Sequence, residues 1–210
     1  PTVRAATPLY TRLGELPELL RRDRDYRRYL LARSLGVMGR MAVPFYVLLA
    51  QSRLDLSGQQ LGLLTAAFGL AQGMVNVVFG WVADRRGFRA ALLCALVTWM
   101  LAGLILLDAG SFRQVLVGFV GLGAGLGGFM MSSQNLVLEF GSRANLPMRI
   151  AVANSLSEAV GIVGPILGGV IAAVWSYPAV IATALALKLV AFLVTLFFVN
   201  DPRHRRRTEG

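Results

Sequence analysis

Six long apolar blocks alternate with short polar segments along the chain. Each block comes close to, or exceeds, the roughly 20 apolar residues that a transmembrane helix needs. The blocks occupy residues 29–50, 58–82, 90–107, 115–138, 150–174 and 177–199. The pattern therefore predicts an all-α polytopic membrane protein with six transmembrane helices.

The polar segments at the two ends complete the predicted organisation. Residues 1–28 are rich in arginine and form a cytoplasmic connector or an amphipathic surface segment, two alternatives that the sequence leaves open. Residues 29–199 form the six-helix bundle, and residues 200–210 form a basic cytoplasmic tail. Hydrophobic residues make up 56% of the chain and charged residues only 15%, against about 25% charged in soluble domains. A soluble domain is thereby excluded.

The net charge of +10 invites a nucleic-acid interpretation, but its distribution argues for a lipid bilayer as the partner instead. The arginines lie at the ends of the apolar blocks, with no basic patch interleaved with aromatic residues. Sixteen of them fall in segments 1–28, 83–89, 139–149 and 200–210, and only Arg53 and Arg113 fall in the alternate loops. The positive-inside rule then predicts that both termini are cytoplasmic.

Cysteine and histidine are too scarce for most intramembrane chemistry. Cys94 is the only cysteine and lies inside an apolar block, and His204 is the only histidine and lies in the tail. A disulfide, a zinc site or a Ser–His dyad within a span would need more of these residues. We therefore expect no enzyme, no metal and no cofactor.

A short polar loop between the second and third blocks reads Gly80-Trp-Val-Ala-Asp84-Arg85-Arg86-Gly87-Phe-Arg89. Its pattern, G-x-x-A-D-R-x-G-x-R, resembles the signature loop of major facilitator superfamily transporters. The resemblance implies that the loop holds one access state through charge and dipole contacts with neighbouring helix ends. The gating candidates are Gly80, Asp84, Arg85, Gly87 and Arg89, with Glu139 and Arg143 from the next loop on the same side.

The fifth block contains Gly161-Ile-Val-Gly164-Pro165-Ile-Leu-Gly168-Gly169. This run resembles a glycine–proline motif of the same family that is associated with proton-coupled antiporters. Pro165 removes one backbone N–H, so a bend is expected there. Gly161, Gly164, Pro165 and Gly168 form either a functional hinge or a purely structural kink.

Three charged residues lie deep within the predicted spans: Arg40, Glu158 and Lys188. Such groups are costly in a bilayer and usually face a partner or a wet cavity. We expect Glu158 to pair with Lys188 or Arg40, either as a structural ion pair or as a site for substrate or protons. The amides Gln72, Asn76, Asn135 and Asn154 are further substrate candidates, whereas Arg33 is close enough to the interface to snorkel.

Small residues recur at helical spacing in two of the blocks. Gly121/Gly125 and Gly123/Gly127 lie in the fourth block, and Gly62/Ala66 and Gly69/Gly73 in the second. Residues four apart share a helix face, and small faces let helices approach closely in lipid. Ordinary helix packing and sliding contacts between moving helices are both compatible with this pattern.

The resemblance implies two inverted three-helix repeats, which is half of a major facilitator fold, and we expect the C-terminal half. The implied function is alternating-access transport of a small molecule, as antiporter or symporter, in a bacterial inner membrane. Coupling to protons through Glu158 is one version of this hypothesis. The implied partner is an N-terminal six-helix half. The alternative is a half-sized, non-transporting scaffold or partner subunit that forms a homodimer. The sequence selects neither a substrate nor a direction of transport.

Overall fold

The computed structural model describes residues 23–140 and 145–199, and these residues form six helical spans joined by short turns. All six are long and apolar enough to cross a membrane. We number them first to sixth: Arg24–Leu54, Gly58–Arg86, Phe88–Leu107, Phe112–Glu139, Leu146–Val174 and Tyr177–Phe198. The six predicted spans are thereby confirmed. The predictions for residues 1–22, Arg143 and the tail lie outside the described residues.

Local capping explains why the first span begins earlier than its apolar block. Asp23 precedes the helix, and its carboxylate accepts a hydrogen bond of 3.0 Å from the backbone N–H of Tyr26. This satisfies one of the amides that a helix N-terminus leaves without a partner. Residues 24–28, which the sequence assigns to the connector, therefore belong to the first span.

A single glycine separates the second span from the third. Gly87 has φ of 87°, a backbone conformation that glycine adopts without steric cost. Its N–H donates to the carbonyl of Ala83, and its carbonyl accepts from Ala91. The tight turn predicted in the polar loop is therefore present, with Gly87 as the single non-helical residue between the two spans.

The first span is interrupted, and its interruption has a local cause in the sequence. Helix Arg24–Met38 passes through a 3₁₀ turn, Gly39–Ala42, into helix Val43–Leu54. Pro44 stands in the first turn of the second segment and cannot donate to the carbonyl of Arg40. That carbonyl accepts from Val43 instead. The fifth span, in contrast, continues as one helix through Pro165.

The six spans form two equivalent sets of three. The second span packs on the fourth, and the fifth packs on the first. The third likewise packs on the fourth and the sixth on the first, while the third and sixth contact each other. Exchanging the two sets leaves this pattern unchanged. An odd number of spans in each set reverses the direction of the second, so the repeats are inverted, as predicted.

The fourth span lies at the centre of the packing, and its glycines make this possible. A Cβ added at Gly125 would lie 2.6 Å from Cα of Trp99 in the third span. One added at Gly127 would lie 2.5 Å from the carbonyl oxygen of Gln72 in the second. Side chains cannot fit at these distances, so the glycines of the fourth span serve close helix packing.

Candidate functional site

The second and fifth spans are covered least by the rest of the chain. Their uncovered surfaces are called the open side of the bundle. In an apolar 18-residue stretch of each span, only 6% of the second and 17% of the fifth are buried within this chain, against 61% of the fourth. The second span contacts mainly the fourth, and to a lesser extent the third, whereas the fifth contacts mainly the first and less of the sixth and of the end of the fourth. At Gly62, Gly69, Gly73 and Gly80 an added Cβ would meet no atom within 4 Å. The close packing predicted for the second-span glycines is therefore absent within this chain.

Polar side chains lie along the second and fifth spans and near the end of the fourth. Asn76, Gln134, Asn154 and Glu158 are exposed. Gln72 is half-buried and turns its amide nitrogen toward the sulfur of Met130, 4.0 Å away. Asn135 donates to the carbonyl of Met131 in its own helix. Polar groups in an otherwise apolar helix surface need a partner or water, so the open side is suited to contact an aqueous path or a polar solute.

Arg33 lies inside the bundle and does not reach the membrane interface, so the snorkelling expectation is wrong. Its side chain is only 5% exposed. The guanidinium donates to the hydroxyl of Tyr29 at 3.1 Å and to Oδ1 of Asn154 at 2.9 Å. Tyr29 in turn donates to the carbonyl of Ser133. A polar network thereby joins the first, fourth and fifth spans.

Arg40 and Glu158 are both exposed and stand apart from each other. Arg40 lies in the 3₁₀ turn of the first span, and Glu158 lies midway along the fifth. Neither makes an ion pair with a described residue. The predicted pairing of Glu158 with Arg40 is therefore not present in this structure. Arg40 and Glu158 therefore remain without an ion-pair partner among the described residues.

Lys188 lies elsewhere, within the packing of the first, third and sixth spans. The residue is fully buried, and its amine lies 4.3 Å from the centre of the Trp99 ring. Its stem passes beneath Gly39, where an added Cβ would lie 2.9 Å from Cγ of the lysine. Lys188 therefore does not pair with Glu158, and its position is that of a cation–π contact in the bundle interior.

The two sides of the signature loop make different contacts. Arg89 donates to the backbone carbonyls of Thr195 and Leu196, at 3.2 and 2.6 Å. These carbonyls lie in the last turn of the sixth span. The last carbonyls of a helix have no partner within the helix and carry the negative end of its dipole, so an arginine is stabilised there. Arg85 instead lies over the ring of Trp81, 4.1 Å from its centre. Asp84 is exposed, and Glu139 lies in the 3₁₀ turn that ends the fourth span.

A second charged cluster at the same end is absent from the sequence predictions. Arg149 is 6% exposed and forms an ion pair of 2.6 Å with Asp23. Its guanidinium also lies over the ring of Tyr26, whose hydroxyl donates to the carbonyl of Arg149. The cluster ties the start of the first span to the start of the fifth. The spacing of Tyr26, Tyr29 and Arg33, on one helix face, is the sequence signal that could have revealed these contacts.

The glycines of the fifth span lie against the interrupted part of the first. An added Cβ at Gly168 would be 3.2 Å from the carbonyl of Met41, and one at Gly164 would be 3.6 Å from that of Met38. Gly161 has more room, with its nearest neighbour at 3.9 Å. The hinge candidates around Pro165 therefore face the 3₁₀ turn, which is the irregular part of the neighbouring span.

The arrangement offers no metal site among residues 23–140 and 145–199, since no three metal-ligating side chains come together there. What it offers is a membrane bundle with an open polar side and a clamped loop. The family model of the Major Facilitator Superfamily matches residues 29–210. The chain belongs to this superfamily. The match covers all the described spans except the first turns of the first.

Relatives in this superfamily are bacterial resistance proteins. The chain is 25% identical over 150 residues to the quinolone resistance protein NorA of Staphylococcus aureus (strain Mu50 / ATCC 700699), covering 71% of this chain and 38% of NorA. It is 25% identical over 166 residues to the multidrug resistance protein D of Escherichia coli (strain K12), covering 76% of this chain and 41% of that protein. The chain thus spans about two fifths of the length of these relatives.

Membership of the superfamily decides the broad class of the site. Major facilitator proteins are transporters that bind small molecules within the membrane. The expectation of a non-enzymatic membrane protein is therefore confirmed.

Proposed function

We propose that this chain forms one six-span half of a twelve-span transporter, which moves a small solute across the membrane by alternating access. The observation that carries the proposal is the open second span, 6% buried and bearing glycines with free space above them. A helix with this surface is suited to pack closely against another helix in lipid. The length of the chain relative to NorA supports the same conclusion. We assign it to the C-terminal half.

The orientation follows from charge. We place the end that carries Gly87 in the cytoplasm of a bacterial cell, with both termini on that side of the inner membrane. Arg85, Arg86, Arg89 and Arg149 lie at this end, and Arg53 and Arg113 lie at the other. The positive-inside rule supports this assignment.

The solute we propose is a small organic molecule of the kind named for the relatives, a quinolone being the first to test. Arg40, Asn76, Asn154 and Glu158 are the residues that meet it, because all four are exposed on the spans that border the open side. Glu158 is the proposed proton acceptor. Gln72 and Asn135 contribute less, since their amides are turned to the fourth span.

The remaining candidates, which we assign to gating, differ in the contacts that they make. Arg89 holds the end of the sixth span, and the neighbouring Asp84 and Arg85 face outward at the same end. Release of this loop, together with movement of the fifth-span glycines against the 3₁₀ turn of the first, would let the half rock. Glu139 belongs to the same end, and the role of Arg143 stays a prediction.

The decisive experiment measures quinolone efflux from bacterial cells that lack their own efflux pumps. The chain is expressed alone, together with a six-span N-terminal half, and as single variants of the pair. We expect efflux only from the pair, and a reduction of at least ~10-fold in Glu158→Gln and Arg40→Gln at equal expression. Arg113→Gln, at an exposed position in the first turn of the fourth span, is the matched control.

Two outcomes would contradict the proposal. A chain that forms a stable homodimer and neither moves quinolone nor responds to a second half would support the scaffold alternative. Efflux that is unchanged in both Glu158→Gln and Arg40→Gln would remove these residues from the site while leaving transport in place.

A further inference from the structure

Arg33 is a buried cation whose hydrogen-bond partners are neutral. The guanidinium is 5% exposed and bonds to the Tyr29 hydroxyl and the Asn154 amide oxygen. Removing a guanidinium from water is expensive, and neutral acceptors compensate this cost less well than a carboxylate does. In a membrane span the deficit is larger still. The position therefore calls for a carboxylate within reach in some state of the protein.

The fifth span offers such a carboxylate one helical turn away. Glu158 is four residues beyond Asn154 on the same helix, so the two side chains share a face about 6 Å apart along the axis. Glu158 is exposed and has no ion-pair partner among the described residues. Among those residues it is also the only acidic one that lies far from a span end. Arg33 thus bonds to Asn154 without an anion, and an anion without a cation stands one turn beyond Asn154 on the fifth span.

Other charges near this face do not replace Arg33. Lys188 is buried beneath Gly39, among the first, third and sixth spans. Arg149 is held by Asp23 at the end of the bundle. Arg40 is the one competitor, two turns beyond Arg33 on the first span, and it is exposed. A test of the inference must therefore separate Arg33 from Arg40.

We propose that Arg33 is a positioning residue that alternates between Asn154 and Glu158. In the state described here it bonds to Asn154 and leaves the Glu158 carboxylate free for a proton or a cationic group of the solute. In the second state the fifth span moves by one turn relative to Arg33, and Arg33 neutralises Glu158. Shifts by one helical turn are an established type of switching movement. This inference rests on the transport function proposed above and names the group that controls access to its acid.

The first test exchanges the two charges in the twelve-span assembly and measures quinolone efflux. Arg33→Glu and Glu158→Arg are each expected to lower efflux at least ~5-fold, a typical size for coupling between sites. The double variant Arg33→Glu/Glu158→Arg is expected to retain more efflux than Glu158→Arg alone, because the ion pair re-forms although the acid at position 158 is lost. The matched pair Arg40→Glu/Glu158→Arg should not recover. Recovery with Arg40 but not with Arg33 would overturn the proposal, since a merely structural arginine is not rescued by charge exchange.

The second test needs no transport, so it still decides the inference if the parent moves no quinolone and the proposed function fails. Thermal unfolding of the purified protein in detergent is followed for Arg33→Gln, Glu158→Gln and the double variant. We expect the three midpoints to depart from additivity by at least ~2 °C. The corresponding cycle with Arg40→Gln should be additive. If Arg33→Gln does not fold, Arg33→Lys replaces it, and an additive cycle with a folded variant refutes the exchange.

Discussion

The second and fourth spans carry similar glycine patterns but have opposite surroundings. In the fourth span, the space that a Cβ would need is already occupied by the backbones of the second and third spans. In the second span Gly62, Gly69, Gly73 and Gly80 have open space above them. The pattern of small residues alone thus predicts a close helix contact but not whether the contact lies inside the chain. Coverage of the helix by its own chain supplies that distinction.

The same division runs through the charged residues of the signature loop. Arg89 is turned inward and bonds to the end of the sixth span. Arg85 stays at the outside, over an exposed tryptophan. Substitutions of the inward-facing residues should therefore lower the stability of this chain. Substitutions of the outward-facing residues should instead affect assembly and transport.

The largest effect is expected from filling the fourth span. Gly125→Val would place a branched side chain 2.6 Å from the backbone of Trp99, and neither backbone can yield without separating the third and fourth spans. Overpacking of this kind costs typically 1–3 kcal/mol, occasionally more, and we expect about 3 kcal/mol. Thermal unfolding in detergent measures it. A midpoint equal to that of the parent would mean that the two spans are not in close contact.

The six spans and the tight turn at Gly87 were predictable because they follow from local features, whereas the inverted repeats were implied only by the family resemblance. Apolar length, charge at span ends and a glycine in a two-helix turn act over a few residues. The interruption at Gly39–Ala42 was also encoded locally, by Pro44, but the more conspicuous Pro165 drew the expectation instead. The fifth span stays helical through Pro165, whereas Pro44 lies directly after the 3₁₀ turn of the first.

The site residues were harder to predict because their roles depend on distant partners. Arg33 bonds to Asn154, 121 positions further along the chain. Lys188 lies over Trp99 in another span. Depth along a span predicted that Lys188 needs a partner and that Arg33 snorkels, but it could not supply the direction in which either side chain points. Only the packing of the first, fifth and sixth spans decides that.

A smaller effect is expected from the inward side of the loop. Arg89→Gln removes two charge-assisted hydrogen bonds to the end of the sixth span, and bonds to charged groups contribute roughly 1.5–3 kcal/mol each at most. Because Arg89 is only half-buried, we expect a total loss of about 2 kcal/mol in the free energy of unfolding. Arg86→Gln is the matched control, since Arg86 is exposed in the same loop. Equal destabilisation of both variants would show that loop charge, and not the contact, is what matters.

The smallest effect on stability, and the sharpest test of the comparison, is expected at Gly69. An added Cβ there meets no atom within 4 Å, so Gly69→Val should change the unfolding of this chain by no more than about 0.5 kcal/mol. If a second half packs on this surface, the same valine prevents close approach of its helix and weakens co-purification of the two halves. A variant that unfolds early would place Gly69 inside the packing of this chain. One that folds and binds its partner normally would place the interface between the halves elsewhere, leaving the open face of the second span to lipid.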